Sequence, residues 1–288
     1  NDLNLSDMET CLKLMRADML RELVLTGDRF EIEPELTTKL ARWGARIYEA
    51  PISYRGRTYA EGKKIGARDA VQAAWALVYY RFFEAAYTRN IEFMHLQALR
   101  KARWLNHWNY TLIAPYMGAK VLEAGSGLGA MSEKVLDRRA LVCVDENPMF
   151  VERLRQNYGH LANVTVLRAD MSSLSRDEQV AGSGDFDTVL CQNVLEHVED
   201  DRAVLAEFQR LLAPGGTLAL FVPNNPAAFG ALDRRLGHQR RYTVEELARK
   251  LTESGFTVLS CRGFNRLGGL GWRVANGFGE NAFLRLGL

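Results

Sequence analysis

Three acidic residues and two glycines carry the chemistry that can be read first from this chain. The run VLEAGSGLGA, residues 121–130, leaves an apolar stretch, turns through Gly125 and Gly127 and enters a segment of helical pattern. Glycine at both positions lets the backbone turn tightly and approach a ligand closely, and a helix starting there would offer unpaired N–H groups. Glu123 stands just before the glycines, Asp145 ends the next apolar run, and Asp170 follows the third, in RADM. An acid in the place of Asp145 accepts hydrogen bonds from a ribose diol. Asp170 offers an acceptor to an adenine amino group, with Met171 against the ring. Glu123 favours a cationic ligand and opposes a pyrophosphate. Gly125, Gly127 and Ala130 also satisfy the dinucleotide pattern GxGxxG/A, which is weak by itself. A nicotinamide-dependent oxidoreductase therefore stays as an alternative, with Glu123 the residue that argues against it.

These residues need strands to hold them. Apolar, β-branched runs predict strands at 120–124, 141–145, 164–168, 187–191, 217–222 and 256–261. Helical patterns fall between them, near 129–138, 148–158, 199–212 and 243–254. The last carries Thr243 with Glu246 three residues on, a capping box, and Gly255 as its stop. Such alternation predicts a mostly parallel sheet covered on both faces. Its ligand would sit beyond the carboxyl ends of the strands, at the switch point. Ahead of the first strand, 91–118 reads as helical and aromatic, with Phe93, Trp104, Trp108, Tyr110 and Tyr116, and stops at Met117 and Gly118.

In order, VLEAGSGLG, VDENP, RADM, FDTVLCQNVLEHVEDD and LLAPGGTLALFVPN resemble the motifs of class I S-adenosylmethionine-dependent methyltransferases. The nearest likeness is to the broad group that includes ubiquinone and menaquinone methyltransferases, over roughly residues 104–268. The resemblance implies an α/β fold, a doubly wound seven-stranded sheet with a reversed C-terminal hairpin. It also implies S-adenosyl-L-methionine as cofactor, held by Glu123, Gly125, Gly127, Asp145, Asp170, Met171 and Gln192 or Asn193. Asn106 and Trp108 resemble an Asn-x-Trp found before the first strand in relatives, and Ser126 stands where they often have Cys or Ala.

A sulfonium donor needs an aligned nucleophile above all, and a base only where the nucleophile keeps its proton. His197, in LEHVEDD, and His238 and Tyr242, in LGHQRRY, are the candidates. His197 could equally cap the following helix or brace the cofactor loop. The segment 223–242 is long for a connection; it reads as a substrate lid or a solvated basic loop. Arg240 and Arg241 there could hold a phosphate or carboxylate, and Arg234 and Arg235 add to the same basic cluster.

Residues 1–90 differ from the rest. LSDMETCLKLMR, RFEIEPELTTKL and RIYEAPISYRGRTYAEGKKIGARDA resemble the C-terminal part of family-2 glycosyltransferases related to dolichyl-phosphate mannose synthase. That likeness implies a partial glycosyltransferase segment, helical and extended, with Asp7 and Glu9 near an acceptor. It also implies that the sugar-nucleotide half is absent and that this chain alone transfers no sugar. Arg55, Arg57, Lys63 and Lys64 could neutralise a diphosphate or polyprenyl phosphate. A helical and extended cap is the plainer alternative for this zone. The expected division is 1–90 and 91–288.

The formal net charge of +2 over 288 residues gives no basic stripe, so no nucleic-acid partner is expected. Cys11, Cys143, Cys191 and Cys261 form no Cys-x-x-Cys pair; disulfides are not expected, nor a metal, and a reducing, cytoplasmic setting is. The polar opening NDLNLSDMET has no signal-peptide pattern, and without an initiator Met the chain reads as a fragment or processed form. Residues 70–87 are apolar but broken by Arg81 and Glu84. They read as a buried amphipathic helix, or as an interfacial one giving peripheral membrane contact. The function expected is methyl transfer to a small-molecule, glycan or lipid-linked acceptor, oxygen being favoured. A non-catalytic cofactor-binding module of a glycosylation complex is the other alternative.

Overall fold

The structure is a computed structural model and describes residues 5–10, 12–27, 31–53, 67–82, 90–265, 268–269 and 272. Cys11, Arg55, Arg57, Lys63, Lys64 and residues 83–87 of the apolar stretch lie outside the described residues. Two compact units are present, one of residues 1–91 with 281–288 and one of residues 92–280.

In the first unit, α1 (Ala17–Glu22), α2 (Ile32–Trp43) and α3 (Ala67–Phe82) are the helices among the described residues. α2 packs on α3 around a buried ion pair, Lys39 to Glu35 at 2.6 Å. Glu35 also accepts from the backbone N–H of Thr26 and Gly27, and Lys39 donates to the Val24 carbonyl. Burial alone would raise the Glu35 pKa, but Lys39 and these N–H donors bring it below the ordinary value. These further hydrogen bonds offset the cost of burying the pair. No helix of the described residues is long and apolar enough to cross a membrane.

The second unit opens with α4 (Ile91–Lys101) and α5 (Arg103–Ile113). Its centre is a parallel sheet of β1 (Lys120–Ala124), β2 (Ala140–Asp145), β3 (Val164–Arg168), β4 (Phe186–Gln192) and β5 (Leu212–Phe221), in the order β3-β2-β1-β4-β5. The chain reverses its direction of travel across the sheet between β1 and β4, which makes that crevice the switch point. The helices that cover the sheet are α6 (Pro148–Tyr158), α8 (Asp201–Leu211) and α10 (Val244–Glu253), with a short α7 (Glu178–Gly182) ahead of β4. Alternate residues of β1 feed two cores. Leu122 and Ala124 join Val142, Val204, Phe208 and Tyr242 on one face. Val121 joins Leu141, Cys143, Val151 and Leu154 on the other. Near-continuous apolar strands are what a sheet buried on both faces demands. Caps fix the helix starts: Asn147 accepts from Met149 N, Asp200 from Ala203 N, and Thr243 from Glu246 N.

Two expected elements are not formed. Residues 129–138 make turns and one 3-10 turn, Ser132–Lys134, instead of an α-helix. Gly129 sits at φ +80°, a left-handed geometry that an α-helix cannot contain. No α-helix therefore follows the glycine loop before β2. Residues 256–261 run as irregular backbone. Their apolar alternation is real, but a strand needs a ladder partner, and none is present among the described residues. The sheet described has five strands, where seven were expected. Segment 223–242 is not a solvated loop. It closes at its base, Tyr242 N donating to the Pro223 carbonyl, and carries a short helix, α9 (Ala231–Arg235), with Leu232 and Asp233 buried.

Candidate active site

The glycine loop sits at the carboxyl end of β1 and is tied to β2. Gly125 N and Ser126 N both donate to the Val144 carbonyl at 2.9 Å. Asp145, the last residue of β2, accepts from Gly127 N at 2.8 Å and from Asn147 N at 2.9 Å. Each Asp145 oxygen keeps a lone pair for a ligand hydroxyl. Burial raises its pKa even against those two donors. Gly125 is required by space as well as by φ +73°: a Cβ there would stand 2.1 Å from Val194. On the other side of the loop α4 closes in, with Leu96 beside Gly127 and Phe93 stacked on Phe150 at 6.5 Å.

Glu123 is 4 % exposed and hydrogen-bonds the Ser132 hydroxyl. Burial pushes its pKa up to about 7, with the hydroxyl working in the opposite direction. A buried carboxyl of this kind is under tension that a cation relieves. Gln192 ends β4, beside the loop that follows β1, and its Oε1 is buried without a partner. Asn193 takes a left-handed φ of 54°, its N–H bonded to the Phe221 carbonyl. Met171 is buried, and its N–H donates to Glu146. Asp170 is exposed and uses one oxygen on Ser172 N and Oγ, which lower its pKa. The residues at these strand ends suit S-adenosylmethionine: Asp145 offers acceptors to a diol, Gln192 an orphan acceptor to an amino group, and Glu123 an acid to an ammonium. Asn106 and Trp108 are structural, Asn106 donating to the Leu99 carbonyl and Trp108 packing edge-on to Phe264.

A second cluster follows β4. The rings of His197 and His238 meet edge to face at 4.7 Å. Burial pushes His197 down to about 4, and lowers His238. Tyr242 does not join them through its hydroxyl. That group is buried, donates to the Leu195 carbonyl and contacts Asp201, and its pKa is raised by burial and by that acid. The expectation that Arg240 and Arg241 hold a ligand anion meets arginines already engaged. Arg240 pairs with Asp201 at 3.1 Å and donates to the Glu199 carbonyl. Arg241 is buried against Asp233 at 2.8 Å and donates to the Asn224 carbonyl. Buried Asp233 also receives His238 Nδ1, Trp272 Nε1 and Gly230 N.

Sequence reasoning passed over Gly129, Ser132, Glu196 and Asp233. Glu196 had a signal, since it adjoins His197. Asp233 had none, lying in a stretch that reads as basic and solvated.

A family model described as a methyltransferase domain matches residues 122–218. The ubiquinone biosynthesis O-methyltransferase of Xanthomonas oryzae pv. oryzae is 39% identical over 115 residues, 39% of this chain and 46% of that protein. The protein of the same name from Acinetobacter baylyi is 30% identical over 116 residues, 39% of this chain and 47% of that protein. The chain thus spans about half the length of the curated relatives it matches. Among solved structures, an N-methyltransferase from Bradyrhizobium japonicum with S-adenosyl-L-homocysteine is similar at 22% identity and TM-score 0.43, over 58% of this chain and 80% of that one. Residues 122–218 thus match a methyltransferase domain on a parallel sheet, and S-adenosylmethionine is the cofactor that this match supports.

Proposed function

We propose that this chain transfers a methyl group from S-adenosylmethionine to an oxygen of a small-molecule, glycan or lipid-linked acceptor. The observation that carries the reading is the buried carboxyl of Glu123 beside a glycine loop clamped by Asp145 at the switch point. When bound, S-adenosylmethionine supplies an activated methyl whose bonding pair returns to sulfur as the acceptor oxygen attacks carbon. Glu123 takes the cationic end of the cofactor and Asp145 its ribose, while Gln192 Oε1 gains the donor it lacks. His197 and His238 are neutral near pH 7 and present lone pairs after β4. The named activity of the curated relatives supports oxygen as the methylated atom.

The glycosyltransferase likeness of residues 1–90 supports an acceptor that is a glycan or its lipid carrier. On α3, Val71, Trp75, Val78 and Tyr79 are exposed at helical spacing. That stripe suits peripheral contact with a membrane carrying such an acceptor. The test uses methyl-tritiated S-adenosylmethionine with a polyprenyl-phosphate sugar, a free glycan and a catechol. Label in an alkali-stable ether is the expected product. Cofactor binding with no product from any acceptor would favour the non-catalytic module.

A further inference from the structure

Glu196 is the least satisfied acid in the molecule's described core. It is 1 % exposed, and neither carboxylate oxygen has a hydrogen-bond partner. A buried carboxylate left so is costly, and three features around it point to one remedy. Ligand-capable atoms of Glu196, His197 and His238 all lie within 4.8 Å of one another. His238 has its Nδ1 committed to Asp233 at 2.9 Å, which leaves Nε2. The His197 ring lies beside Gly237. A metal-binding histidine characteristically has its second ring nitrogen held by a carboxylate or a backbone carbonyl, which sets ring orientation and tautomer.

We propose that Glu196, His197 and His238 bind a divalent first-row transition-metal ion, with Asp233 as the positioning residue behind His238. Two imidazoles and one carboxylate are a donor set of borderline softness with coordination positions to spare, as in catalytic zinc sites. Bonds of about 2.0–2.2 Å require ligand atoms about 3.3 Å apart, so the three side chains close in by at most about 1.5 Å on binding. Asp233 is itself fixed by Arg241, Trp272 and Gly230, so His238 is held from behind. The site follows β4, the strand that borders the switch point, and Val194 of the same loop packs against Gly125. The use of the ion rests on the methyltransferase reading. There the cation binds the acceptor hydroxyl and lowers its pKa, the proton leaving to water before the oxygen attacks the methyl carbon. Binding of the ion does not depend on that reading.

The test is cobalt(II) titration of the chelator-stripped, untagged full chain, followed by visible d–d absorption. S-adenosylhomocysteine binding is measured by calorimetry on the same samples. The expected result is one tight equivalent of cobalt, displaced by zinc. Glu196→Gln, nearly isosteric, and His238→Ala lose it by a factor of at least about 100, while Asp233→Asn weakens it about 10–100-fold. Circular dichroism checks that each variant is folded. No cobalt uptake by the unmodified chain overturns the proposal whatever the variants do, and so does undiminished uptake by folded Glu196→Gln. Cobalt uptake without homocysteine-nucleoside binding keeps the metal site and removes the methyltransferase reading instead.

Discussion

At Gly129 an added Cβ would stand 2.7 Å from the Tyr158 ring and 3.1 Å from Leu154, at φ +80°. Strain and overpacking together cost about 1–3 kcal/mol, so Gly129→Ala lowers the thermal midpoint without touching a ligand-binding side chain. Glu123 sets a pH dependence of its own. Its pKa is about 7 in the fold against an ordinary 4.5, so the folded state holds its proton more tightly than the unfolded chain. That contribution is complete below pH 4.5 and is lost as pH rises to 7. Glu123→Gln removes the loss and stabilises the ligand-free protein at pH 8 by up to about 3 kcal/mol, read by denaturant unfolding at pH 4.5 and 8, while cofactor affinity falls. Glu123, Asp145 and the two glycines were legible because their positions follow strand ends that the apolar runs define. Gly129 was not, since only the Tyr158 ring, brought there by α6, makes its lack of a side chain matter.

Among elements, the segment 223–242 shows how far a pattern can mislead. Its arginines read as ligand-seeking, yet they are the partners of buried acids. Asp233 has four hydrogen-bond donors or partners and no exposure. Asp233→Ala therefore costs about 3–5 kcal/mol, because Arg241 is left buried and uncompensated. Arg240→Ala costs under about 1 kcal/mol, since its pair with Asp201 is part-exposed. Equilibrium unfolding of both variants measures the contrast. The strands and α6, α8 and α10 were legible from apolar runs and caps. The missing helix after β1 and the missing strand at 256–261 were not, because a left-handed glycine and an absent ladder partner are facts of conformation and of neighbours, not of composition.

For the whole molecule, two units mean two cores. Residues 92–280 contain the sheet, both its covering layers and every residue assigned to the cofactor. A chain of residues 92–280 is expected to unfold cooperatively and to bind S-adenosylhomocysteine as tightly as the full chain, which calorimetry on the two proteins checks. The alternation of strand and helix implied a mostly parallel sheet covered on both faces, but not its order β3-β2-β1-β4-β5. The position of the switch point needed the structure, since no single strand records which neighbour it will take.

The account stands on a pocket that prefers a positively charged adenosyl ligand to a dinucleotide. Titration calorimetry of the full chain with S-adenosylhomocysteine and with NAD tests this most directly. The prediction is one equivalent of the former and no heat from the latter, with Asp145→Ala weakening the binding about 10–100-fold. Uptake of NAD with indifference to S-adenosylhomocysteine would contradict it.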